Sequence, residues 1–345
     1  MIRHFDVRID VLRNGAMLTQ LHADDEPRIR AKSKSAIKTT FSGTFLENEK
    51  VDWLKDELQP ILILDGVEYP LGIFSPATVT KTQVEEKRRV SVEAYDRCWR
   101  VESTRTDSLV HLPSGTNYIT AIKSLLMDCG IALVRDTPTS ETLRMDREDW
   151  GVGESMLTIV NQLLEEINYK QLWFDSSGIA VLEPRKDVSA QNIVRTYDAN
   201  NSRSMMTDDV ETKLDIYNAP NVFICVCSNP DTGTPMSARA ENNNPASPLS
   251  IVRRGRKIAT VKKMKNTASQ AALAESARQM CNDSMLMGVT ATISTLAMPD
   301  CGVDDVVAIV HPNLEGVCRE TEWQLSLKPG VSMTHKLERT AVSIA

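Results

Sequence analysis

The chain has 345 residues, 41% of them hydrophobic and 25% charged, which gives room for two or three soluble domains, each with its own core. A formal net charge of −6 argues against general affinity for nucleic acid, which rests on neutralising phosphates with Lys and Arg. No run of about 18 apolar residues occurs, so no spanning helix is expected.

Residues 1 to about 100 read as all-β. Phe5, Val7, Ile9 and Val11 alternate with Asp6, Arg8 and Asp10, which makes a half-buried strand rather than the charged-then-apolar start of a secretion signal. Asn14-Gly15 supplies a tight hairpin turn into 16–21, and Asp65-Gly66 does the same between Ile61–Leu64 and Val67–Phe74. The stretch 23–35 reads as a charged loop, 37–45 alternates again, and Lys87–Tyr95 closes a set of short strands expected to form a barrel or sandwich.

From 101 to 195 the period changes to that of a small α/β unit. Ile119, Ile122, Leu125, Leu126 and Cys129 follow helical spacing, with Ser114 or Thr116 as N-cap and Gly130 just past the end. Ser155–Tyr169 repeats the pattern, and a strand, turn and strand follow from Leu172 to Pro184.

From 196 to 345 β-structure returns. A strand, Val222–Cys227, leads into a long polar loop, 228–256, whose end carries Arg253, Arg254, Arg256 and Lys257. A helix over 268–285 is opened by Thr267 with Gln270 as a capping box, and short strands run from Val289 to Leu337.

No enzymatic constellation emerges. Phosphate-loop, zinc-protease and nucleophile-elbow motifs are all absent from the sequence, and Gly151-Val152-Gly153 follows no strand and reads as a helix lead-in. Cys98 and His111 could pair as thiol and base but lack an orienting third group. The carboxylates Asp208-Asp209 and Asp304-Asp305 diverge in extended chain, and Asp24-Asp25-Glu26 reads as a solvated turn. The seven cysteines include no C-x-x-C pair, and Cys225 and Cys227 share one strand face as small buried side chains. No catalytic, cofactor-binding or metal-ligating residue is therefore assigned. The cations Arg253, Arg254, Arg256, Lys257, Lys262, Lys263 and Lys265 run without an acid between them; they read either as a solvated strand face or, on an acidic chain, as a contact with acidic surface on a neighbouring subunit.

The stretches Ser228–Gly233, Ala240–Pro245, Pro248–Ser250 before Arg253, and Met298–Asp300 ahead of Val303–Val307 resemble the tail hub, or baseplate hub, proteins of bacteriophages and related tail-derived machines. A looser likeness lies in Pro60–Gly72, and Asp304 stands where a glycine is usual before the Val306-Val307 strand. The resemblance implies a mainly β, α+β chain of two tail-tube-like β-barrel domains, 1–100 and 196–345, joined by a small α/β domain, 101–195. It further implies a homotrimeric ring in the virion tail, assembled in the host cytoplasm. That ring would adapt a six-fold tube to a three-fold tip or spike and let DNA pass an acidic wall. Its partners would be the tube or distal tail protein, the spike and the tape measure protein. A tail-associated peptidoglycan hydrolase and a receptor- or sugar-binding tip module are the alternatives, although the five tryptophans are dispersed.

Overall fold

Two turns set the first β region. Asn14 and Gly15 adopt φ of 53° and 78°, Asp65 and Gly66 φ of 53° and 84°, the positive pairs that two-residue hairpins need. They join β1 (Phe5–Arg13) to β2 (Ala16–Leu21) and β5 (Glu57–Leu64) to β6 (Val67–Pro70). Between and after them lie β3 (Arg28–Lys32), β4 (Thr39–Leu46), β7 (Phe74–Val84) and β8 (Lys87–Asp96). The computed structural model describes residues 4–84, 87–200, 206–214, 219–228, 235–286, 289–311 and 314–339.

The middle of the chain forms a compact α/β unit: α1 (Cys98–Ser103), α2 (Tyr118–Asp128), β9 (Val134–Asp136), α3 (Met156–Glu166), β10 (Trp173–Phe174) and β11 (Ala180–Leu182). The cap of α2 is Asn117, not Ser114 or Thr116; its Oδ1 accepts from the N–H groups of Ile119 and Thr120. Ser155 caps α3 in the same way. Ile122, Leu126, Val160 and Leu164 are fully buried with Leu182 in one core. Gly178, at the tip of the β10–β11 turn, has φ 73°, and a Cβ there would lie 2.9 Å from Ile73 Cδ1. Gly178→Ala is therefore expected to cost about 1–2 kcal/mol, the ordinary strain of a left-handed L-residue. Thermal melting should detect it, and an unchanged melting temperature would refute it.

The rest comprises a 3-10 turn (Ala190–Asn192), β12 (Ile193–Asp198), β13 (Met206–Leu214), β14 (Val222–Cys227), β15 (Met236–Glu241), α4 (Ile251–Arg254), β16 (Ala259–Met264), α5 (Gln270–Leu286), β17 (Val289–Thr295), β18 (Val306–His311), β19 (Leu314–Ser326) and β20 (Met333–Arg339). Ser269, rather than Thr267, opens α5: its Oγ accepts from the N–H of Ala272 at 3.1 Å.

Closed barrels are not what forms among the described residues. One open path of hydrogen-bonded strands, β13-β17-β20-β19-β3-β4-β8-β7-β5-β1-β2, runs through both β regions, with β18 and β12 extending from β19 and β6 from β5. The reason is β3, in the stretch expected to be a charged loop. Ile29 and Ala31 point into the core while Arg28, Arg30 and Lys32 point outward, a short period-2 strand. One edge of β3 pairs with β4 and the other with β19, Leu325 opposite Ile29 and Trp323 opposite Ala31. Among the described residues, the strand pairing by which the first region curls back on itself is an isolated bridge, Ala23 to Phe45. Its core accordingly includes Trp323, Leu325, Leu327 and Met333 beside Ile9, Phe41, Leu62 and Phe74.

The long polar loop is also partly structured. Met236, Ala238 and Ala240 alternate with Ser237, Arg239 and Glu241 to make β15, which pairs antiparallel with β14 while β16 pairs parallel on the other side. Cys225, Cys227 and Met264 pack with Leu273 and Ala277 of α5 over this small sheet. Residues 229–234 of that loop lie outside the described residues.

Candidate functional site

The basic strip is displayed by this small sheet. Ser250 caps α4 by accepting the N–H of Arg253 at 3.2 Å, and Gly255 ends it at φ 63°. Asn221, fully buried, donates to the carbonyl of Arg256 at 3.0 Å and accepts from the N–H of Ile258 at 2.7 Å, which fixes the exit of the turn. Asn242 ties the other side through Ser247 at 3.0 Å, above buried Leu249. The residues that carry the sequence resemblance in 240–250 are thus scaffolding for a rigid turn.

That scaffold sorts the cations. Arg254 turns inward and donates to the carbonyl of Ala219 at 2.6 Å, and Lys257 pairs with Glu241 at 3.1 Å. Lys262 pairs with Glu165 of α3. Arg253 and Arg256 stand exposed, as does Lys263 of the edge strand β16. Val252 and Val261 lie among them, 63% and 53% exposed. Cations beside exposed apolar side chains are what a polar-rimmed protein interface presents.

The candidate enzyme groups are not assembled. Cys98 is fully buried with its thiol on the carbonyl of Leu172 at 3.5 Å, and burial pushes its pKa well up. His111 is exposed and contacts Glu148 at 2.9 Å. Asp24 is held by Arg89 at 2.5 Å, while the side chains of Asp208 and Asp209 lie outside the described residues. Asp304 takes φ 62°, the left-handed conformation a glycine would adopt freely, and Asp305 accepts the N–H of Gly302 at 2.8 Å. A cleft of about 520 Å³ opens between α3 and the C-terminal strands. Its lining holds neither His nor Cys; of its four acids Glu165, Asp283 and Glu338 are each paired with a Lys or Arg, and the fourth is Asp304 of the left-handed turn.

Sequence reading missed one cluster. His335 of β20 is fully buried, as is Glu320 of β19, and its Nδ1 contacts a Glu320 carboxylate oxygen. Its Nε2 contacts the Thr295 hydroxyl at 2.7 Å. Arg195 of β12 lies 3.7 Å from Glu320 and 3.8 Å from Asp305, whose pKa burial raises. Cys301 completes the group, its thiol pushed up by burial. These residues fall on four strands and a loop with no motif spacing, so only the sheet register brings them together.

No protein-family model matches the sequence, and no curated protein matches it. The fold, however, is that of tail proteins. A tail protein of Neisseria meningitidis MC58 superposes with a TM-score of 0.68 at 14% identity, covering 97% of this chain and 97% of that one. The 43 kDa tail protein of prophage MuSo2 from Shewanella oneidensis gives 0.64 at 10% identity over 98% and 100%. An Escherichia coli type VI secretion component, described as similar in structure to T4 tail proteins gp27 and gp5, gives 0.55 at 12% identity over 95% and 76%. The likeness to phage tail proteins read from the sequence therefore holds at the level of the fold. No described helix is long and apolar enough to cross a membrane.

Proposed function

We propose that this chain is a structural component of a phage-type tail: a baseplate or tail-tip hub that assembles as a homotrimeric ring between the tail tube and the tip, with DNA passing its acidic wall. The observation that carries the reading is a likeness in fold extending over 97% of this chain and 97% of a tail protein. In this reading the division at 1–100, 101–195 and 196–345 supplies two β regions per chain, so that three chains present six around one axis. Enzymatic activity has no part in it, since the candidate nucleophile and base keep separate partners.

Arg253, Arg256 and Lys263 are the contacts assigned to the neighbouring subunit or tail partner, with Arg254 and Lys257 holding the turn that presents them. Deleting 230–250 would remove β15 and strip α5 of its cover, so charge reversal is the cleaner test. The full chain is expected to sediment as a trimer. Arg253→Glu/Arg256→Glu/Lys263→Glu should keep its circular dichroism while shifting toward monomer, more strongly at low salt, where charges are screened over a Debye length of about 10 Å or more. A variant that assembles like the parent removes the strip from the interface. A chain that stays monomeric at its highest soluble concentration, or that clears peptidoglycan in a zymogram, overturns the hub.

A further inference from the structure

We propose that Cys301, Glu320 and His335 form a binding site for a divalent transition-metal ion of the zinc class, fastening β19 and β20 to the connection that precedes β18. The ligand atoms of the three residues lie within 4.8 Å of one another, His335 and Glu320 being buried and Cys301 half-buried. In tetrahedral zinc coordination the ligand atoms stand roughly 3.3–3.6 Å apart, given bonds of about 2.0–2.3 Å, so side-chain shifts of about an ångström suffice. Thiolate, imidazole and carboxylate together select zinc over magnesium or calcium, which take oxygen ligands.

Hydrogen-bond bookkeeping points the same way. The Thr295 hydroxyl has one proton, which the carbonyl of Leu296 takes at 2.8 Å. Its contact with His335 Nε2 at 2.7 Å must then be donated by the ring. That fixes Nε2 as the protonated nitrogen and turns Nδ1 toward Glu320, the outer hydrogen bond that orients a metal-ligating histidine. A lone pair on Nδ1 facing a carboxylate oxygen is repulsive unless something cationic lies between them, either a proton or a metal ion. A proton leaves the thiol of Cys301 without a role, and the second oxygen of Glu320 with no hydrogen bond and only Arg195, 3.7 Å away, as a charge partner. A metal ion uses the thiol directly and gives the Glu320 carboxylate a closer cation.

Charge allows the exchange. Asp300, 3.6 Å from Arg195, is exposed and screened by water; among the buried groups, Glu320 and Asp305 against Arg195 leave one negative charge in excess. A divalent ion bound with the Cys301 thiolate cancels it, as an imidazolium would. Cys301 also lines a cleft of about 290 Å³ with Pro299, Asp300 and Gly302, which gives an ion a way in.

The inference does not depend on the hub reading, and its test leaves assembly aside. The full chain, stripped with a chelator and kept reduced, is loaded with zinc or cobalt and passed over gel filtration. One equivalent of zinc per chain should be retained, and the cobalt form should show a thiolate-to-metal charge-transfer band. Cys301→Ser should keep the metal-free melting temperature, lose the band, and bind zinc at least tenfold more weakly, the scale on which even outer-shell changes act. The cobalt spectrum of the parent needs no variant and so guards against misfolding. Failure of the parent to retain zinc, a cobalt spectrum without the band, or retention by Cys301→Ser equal to the parent overturns the site and assigns the His335–Glu320 contact to a shared proton.

Discussion

Shortening Leu325 to Ala is expected to lower the stability of the β scaffold by about 2–5 kcal/mol, the range for emptying a buried leucine site. Leu325 is 1% exposed and sits on β19 opposite Ile29 of β3. That pair lies where strands from the two ends of the chain meet. Beside it Trp323 faces Ala31, and Glu322 reaches Arg30 at 2.6 Å across the same seam. A cavity here weakens the contact that joins the two β regions, so the loss should appear in probes of both. Urea unfolding followed by far-UV circular dichroism and by tryptophan fluorescence gives the two readings. Coincident transitions shifted together are expected. A loss under about 1 kcal/mol, below even the usual Leu→Ala range, would mean that the seam contributes little.

The seam also marks where the sequence stops being legible. Hairpin turns were readable because Asn14-Gly15 and Asp65-Gly66 are local: two residues fix the backbone whatever surrounds them. Helices α2 and α3 were readable because their apolar faces repeat over three turns, although Asn117 outcompeted the hydroxyl residues before it as cap. β3 was not, since Arg-Ile-Arg-Ala-Lys offers only two apolar side chains, and its stability comes from β4 and β19, the latter nearly 300 positions away. β15 failed for a similar reason: its inward face is Met and Ala, residues with no strand preference, recruited by α5. Closure was misjudged with β3, because whether a curled sheet closes depends on which partner takes its edge. Of the site, the basic strip was legible as charge, but not that Arg254 and Lys257 are spent inside the turn. The Thr295–Cys301–Glu320–His335 group left no trace at all, being defined by register between strands.

The second large effect is expected in the α/β unit, from Arg147→Met. Arg147 is 3% exposed; its Nη1 donates to Glu166 at 2.8 Å, its Nε reaches Asp149, and its guanidinium lies 4.6 Å from the Trp150 ring centre. Tyr118 donates to the same Glu166 oxygen at 2.7 Å. Burial is the largest influence on Glu166 and raises its pKa even with Arg147 in place. Removing the cation strands a buried carboxylate, and breaking such a pair costs about 3–5 kcal/mol. The sign with pH follows from linkage. With the folded pKa raised above the unfolded value of about 4.3, the native state binds more protons, so stability falls as pH rises through that window. The variant should therefore be hurt most at neutral pH and least where Glu166 takes up a proton. Adding Glu166→Gln removes the stranded charge and should recover part of the loss at pH 7 while flattening the pH dependence. Urea titrations of the parent, both single variants and the double variant at acidic and neutral pH would complete the cycle. A loss that is independent of pH and unchanged by Glu166→Gln would mean that Arg147 acts through its packing on Trp150 rather than through the charge it neutralises.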